Sequence, residues 1–107
     1  QWSGVIAKTQ ALGQGNYMFI LEFQRGACKF VVDIDTEILL NDQPATLSAA
    51  LAFQPAHAVA TRRNAILQLP NGAIAMRACT VNFRTGPIPQ SLHGPCFTAS
   101  DQMTNGK

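Results

Sequence analysis

The sequence predicts a mostly β domain, either a small five-stranded barrel or a β-sandwich, with one short helix near residues 46–53. Three observations predict it. Apolar and aromatic residues recur at every second position through Tyr17–Phe23 and again through Lys29–Ile34. Two apolar-rich runs within Asn64–Arg84 flank Asn71-Gly72, a dipeptide that accepts the positive φ angles of a tight hairpin turn. The one helical signal, between Thr46 and Pro55, is under three turns long and needs packing to persist.

The elements follow in order. Trp2–Thr9 reads as a first strand centred on Val5 and Ile6, and Gly13, Gly15 and Asn16 form a turn cluster after it. In the second strand Tyr17, Phe19, Leu21 and Phe23 share one face, while Met18, Ile20 and Glu22 share the other. Arg25-Gly26-Ala27 supplies a turn into Lys29–Ile34, where Phe30, Val32 and Ile34 alternate with Lys29, Val31 and Asp33. These three strands read as a meander. Thr46 is placed to cap a short helix through its hydroxyl, with Leu47, Ala50 and Leu51 on one side, and Pro55 ends it.

His57–Arg63 leads into the long hairpin, whose predicted turn is the two-residue Asn71-Gly72. In the last strand the apolar face changes sides, from Ile74, Met76 and Ala78 to Cys79, Val81 and Phe83. A β-bulge produces that one-residue slip, and bulged strands let a small barrel turn its corners. From Thr85 onward Gly86, Pro87, Pro89, Gly94 and Pro95 break regular structure. The chain is therefore read as a single β domain over residues 1–84 and an irregular Pro/Gly-rich tail over 85–107. Three strands, a short helix and two strands is the element order of an OB-type barrel, a likeness at the level of fold alone.

Composition narrows the function classes. The 107 residues suffice for one domain with one modest core, and 47% are apolar. Charged residues make up 13%, about half the roughly 25% of ordinary soluble domains. A surface so poor in charge suits exported proteins and subunits buried in an assembly, so an extracytoplasmic or secreted location is favoured. The chain starts at Gln1, which fits either a removed leader or a trimmed domain. The net charge is +2, and among eight Lys and Arg only Arg62-Arg63 are adjacent, too sparse for a strong duplex binder. No apolar run approaches the ~18 residues that span a bilayer.

The cysteines are Cys28, Cys79 and Cys96. Three pairings are open; Cys79–Cys96 would tie the tail to a strand, and three reduced thiols acting as small apolar side chains are the alternative. There is no Cys-x-x-Cys pair for zinc or redox chemistry. His93 and Cys96 stand three apart, but Gly94-Pro95 between them disfavours a defined nucleophile–base pair.

The run Phe30-Val31-Val32-Asp33-Ile34-Asp35-Thr36-Glu37 loosely resembles the nucleophile motif of haloacid-dehalogenase-like phosphotransferases, in which an apolar strand ends in two Asp residues one apart. No Gly follows Asp35, Thr36 comes one place early, and the chain is too short for the surrounding α/β fold, so that activity is not expected. Carried on one extended strand, Asp33, Asp35 and Glu37 would diverge rather than converge on a cation, and they are expected to form a solvated acidic edge.

No cofactor or metal is expected. The expected function is a non-enzymatic binding or assembly module that pairs an exposed β surface with a protein partner or a second copy of itself. The alternatives are an OB-like binder of single-stranded nucleic acid and a small hydrolase using Cys or carboxylate chemistry. The candidate binding residues are Trp2, Tyr17, Arg25, Lys29, Arg62, Arg63 and Arg77, with Phe19, Phe23 and Phe30 expected in the core.

Overall fold

A computed structural model describes residues 2–23 and 26–87. The elements are β1 (Trp2–Gly13), β2 (Asn16–Phe23), β3 (Gly26–Val32), β4 (Glu37–Leu40), β5 (Gln43–Pro44), α1 (Leu47–Ala52), β6 (His57–Gln68) and β7 (Ile74–Arg84). β1, β2 and β3 form the antiparallel meander, with Phe19 opposite Phe30. β1 also pairs antiparallel with β6, from Trp2 opposite Ala60 to Val5 opposite His57. The sheet closes where β3 meets β7 in parallel, at Phe30 opposite Met76 and Val31 opposite Arg77. The result is a closed five-strand barrel, β1-β2-β3-β7-β6, with one short helix. The barrel rather than the sandwich is therefore the fold, because a single sheet curls until its two edges bond.

The alternation read from the sequence fills the barrel. Phe19, Leu21, Phe30, Val32, Ala78, Val81 and Phe83 point inward and are buried. Phe19 lies between Phe30 and Phe83, with ring centroids 5.9 and 5.8 Å away. Beside these three large aromatic rings, the small residues Ala58, Ala60 and Ala78 are fully buried. The helix forms as expected. Thr46 is extended (φ −84°, ψ 159°), its Oγ accepts from the Ala49 N–H at 3.1 Å, and Ala50 is buried in the same core.

Several details correct the sequence reading. The long hairpin turns through three residues, not two. The Gly72 N–H donates to the Leu69 carbonyl, Leu69 and Ala73 then pair, and only Gly72 takes a positive φ (+88°). Pro70 fixes the entry to that turn, which is why Asn71-Gly72 does not form the tighter version. The bulge in β7 is present: the register slips between the pairs Thr61–Thr80 and Arg62–Ala78. The extra residue is Cys79, which is exposed rather than part of the inward face.

β3 ends at Val32, not Ile34, and the strands β4 and β5 had not been expected. β4 runs parallel to β7, from Glu37 opposite Thr80 to Leu40 opposite Phe83. Asn41 and Asp42 form the turn into β5 with positive φ angles of 50° and 71°. Asn82 and Arg84 of β7 hold that turn by binding Asp42. No helix among the described residues is long and apolar enough to cross a membrane.

Candidate functional site

Two surface features lie side by side at the wall formed by β1, β2, β3 and β7. The first is an ion-pair cluster. The chain leaves β3 at Asp33 and turns sharply: the Asp35 N–H donates to Asp33 Oδ1 at 3.0 Å and the Thr36 N–H to the Asp33 carbonyl at 3.1 Å. The Thr36 hydroxyl fixes the turn to β7 by donating to the Ala78 carbonyl at 2.9 Å. Asp33, Asp35 and Glu37 thus do not share a strand, and Asp33 is no part of a solvated acidic edge. Its carboxylate receives both terminal nitrogens of Arg63, one of them at 3.1 Å, and Nη1 of Arg77 at 2.8 Å. Arg77 Nη1 also reaches Asn16 Oδ1 at 3.2 Å.

The Arg63 hydrogen bonds hold the Asp33 carboxyl far below the usual carboxylate range, against the opposing effect of burial, and the Asp35 N–H and Arg77 add to them. The same bonds push the Arg63 pKa up. Arg63 falls where β6 carries extra residues opposite β7, between the pairs Arg62–Ala78 and Ile66–Met76. The bulge turns Arg63 toward the β3 terminus. A shallow hollow of about 590 Å³ opens over the cluster, bounded also by Gln14, Gly15 and the almost fully exposed Ile34.

The second feature is a groove on the outer face of the meander. Register sets its floor. Ile20 stands opposite Lys8 on one side and Lys29 on the other, and Met18 stands opposite Gln10 and Val31. A slip in β1 between Ile6 and Lys8 brings this about, because Ile6 packs on the core while Lys8 turns out. The β6–β7 hairpin folds over one end of this face. Leu69 is buried there against Met18, Val31 and Ala75, in a small cluster separate from the barrel core and flanked by Leu12 and Leu67. Leu69, Pro70 and Asn71 make the lip of a groove of about 330 Å³.

The residues singled out by sequence fall into four groups, with Arg25 beyond them. Arg63 and Arg77 come together, but on Asp33, so their charge is already engaged. Lys29 lines the groove. Arg62 is exposed and apart from both features, with its guanidinium 3.9 Å from Met76 Sδ. Trp2 and Tyr17 pack against the barrel core. The Trp2 ring meets Phe23 at 5.9 Å and Phe30 at 5.8 Å, so neither Trp2 nor the Phe residues form a stacking platform on the outer face. Arg25, His93 and Cys96 lie outside the described residues, and with them the Cys79–Cys96 pairing.

Sequence reasoning missed Lys8, Met18, Ile20 and Leu69 as surface partners. The signal lies in the outward set Lys8, Gln10 and Leu12, of which the expected strand Trp2–Thr9 reaches only Lys8, whereas β1 runs to Gly13. His57, the described imidazole, is buried. Burial lowers its pKa, the nearby Arg84 charge adds to that, and a hydrogen bond to the Pro87 backbone opposes both. Among the described residues no three His, Cys, Asp or Glu side chains converge to hold a metal. No protein-family model, curated protein or solved structure matches this chain, so its own residues carry the functional argument.

Proposed function

We propose that the protein is a non-enzymatic binding module that holds a protein partner, or a second copy of itself, on the outer face of β1–β2–β3. One observation carries the reading: an apolar floor runs from Ile20, set between Lys8 and Lys29, to Met18, where it ends at the Leu69–Asn71 lip. Small-domain recognition sites combine such an apolar floor with a few polar groups at the margin. OB-type barrels receive their ligands on a corresponding strand face, which supports the location by analogy of fold.

Two of the side chains with chemical potential are not free to act, which favours binding over catalysis. Asp33 is saturated by arginines and His57 is buried. Single-stranded nucleic acid is the weaker reading, because the Trp2, Phe19, Phe30 and Phe83 rings pack in or against the core and two of the arginines already share a carboxylate.

Site-specific photocrosslinking tests the proposal. Benzoyl-phenylalanine placed at Ile20 should give protein adducts in the source cell, and the same group placed at Glu37 on the far side of β7 should not. Equal adducts from both sites, or adducts from Ile20 that a nuclease removes, would refute it.

A further inference from the structure

Resting on that reading, we infer that the groove accepts an extended acidic peptide, with carboxylates meeting Lys8 and Lys29 and an apolar side chain settling on Ile20. The cross-strand row Lys8–Ile20–Lys29 is the basis. Adjacent strands lie about 4.8 Å apart, so the two lysine backbones are about 10 Å apart with the isoleucine between them. Side chains on one face of an extended peptide recur at every second residue, about 6.6 Å apart, so two carboxylates four residues apart, with an apolar residue midway, span about 13 Å and fall within the reach of the lysine side chains.

The charges on the face are unbalanced. Neither Lys8 nor Lys29 lies in an ion pair among the described residues, whereas Arg63, Arg77 and Arg84 each have a carboxylate. Glu22 is the one acidic side chain on the same face of β2. It stands opposite Val5 and Ala27, one row beyond the lysines, and bridges neither of them. Two uncompensated cations flanking an apolar residue select an anion that carries its own apolar group. An extended peptide of the pattern Glu-x-Val-x-Glu has that chemistry, because its two carboxylates and its valine lie on one face. A nucleotide strand supplies the charge, but its bases would find Met18, Ile20 and Leu69 where stacking needs aromatic rings.

The test uses the full chain and three fluorescent probes in anisotropy titrations: a Glu-Ser-Val-Ser-Glu peptide, its Gln-Ser-Val-Ser-Gln counterpart, and oligothymidylate. The acidic peptide should bind and should weaken with added salt. Lys8→Gln with Lys29→Gln should weaken it about tenfold, the sum of two exposed ion pairs. Both positions are on the outer face, and a circular-dichroism spectrum identical to the parent confirms the fold. Ile20→Asp should abolish binding.

Equal binding of the Gln peptide, or no binding of either peptide, overturns the acidic specificity. In both cases the crosslinking at Ile20 still decides whether the face is a binding site at all. Preference for oligothymidylate, lost in the double lysine variant, overturns the peptide and replaces it with nucleic acid.

Discussion

Asp33, at the end of β3, receives both terminal nitrogens of Arg63, thirty residues farther along the chain in the bulge of β6. Arg77 of β7 joins the same carboxylate, so one side chain ties together three strands at the seam where the barrel closes. That seam has few backbone pairs of its own, two residues of β3 against two of β7. The ion-pair cluster supplements a weak closure.

Asp33→Asn should therefore destabilise the protein by about 2–3 kcal/mol, less than for a fully buried pair because both guanidiniums can still reach water. Urea unfolding measures the loss. The pH sign follows from the depressed carboxyl. The stabilisation is fully present above about 3.8, the ordinary value, and is lost as pH falls through the much lower value of the folded state. Acid titration of the parent should show a loss of stability between about pH 3.8 and that lower value, and the Asn variant should lack it.

Gly4 shows a different constraint on closure. It lies in β1 opposite Ala58 of β6, and a β-carbon there would stand 2.6 Å from the Glu22 backbone oxygen and 3.1 Å from Leu21 Cβ. The nearest obstacle is backbone, so the strands themselves would have to part. Gly4→Ala should cost about 1–3 kcal/mol, as overpacking does in cores generally. A thermal melt showing an unchanged midpoint would refute this, because ordinary Gly→Ala replacement in a strand is neutral or favourable.

How far the sequence could be read depended on how local each feature was. The meander, the core Phe19 and Phe30 and the Thr46 cap follow from period and from a hydroxyl acting within one turn of chain. The bulge in β7 was legible because it reverses the parity of the apolar residues. The Asn41-Asp42 turn was not, since two non-glycine residues at positive φ depend on Asn82 and Arg84, forty or more positions away. Nor was the arginine pair on Asp33. Nothing near Arg63 in sequence announces a carboxylate, and the turn chemistry of Asp33 and Thr36 was concealed by reading the strand straight through them.

His57 makes stability depend on pH near neutrality. Its imidazole is buried, and burial above all lowers its pKa in the folded state below the ordinary 6.5. On acidification the unfolded chain takes up the proton first. The stabilisation is thus complete above about 6.5 and declines as pH falls toward the lower folded value, by at most about 1.4 kcal/mol per pH unit for one proton. Urea midpoints should fall between about pH 7.5 and about pH 5.5 in the parent. His57→Gln, which keeps a donor for the Pro87 carbonyl, should reduce that difference.

Leu69 anchors the β6–β7 arm onto the meander and so shapes the groove lip. It is buried against Met18, Val31 and Ala75, away from the barrel core. Leu69→Ala should cost about 2 kcal/mol, the low end for a buried leucine because the neighbouring arm can settle into the space. The loss should be local, since Phe19, Phe30 and Phe83 do not touch this cluster. Hydrogen exchange should accelerate in the amides of residues 66–75 while those of β2 facing the core keep their protection. Uniform acceleration throughout the barrel would mean that arm and barrel unfold as one unit, and the lip could not then move independently of the fold.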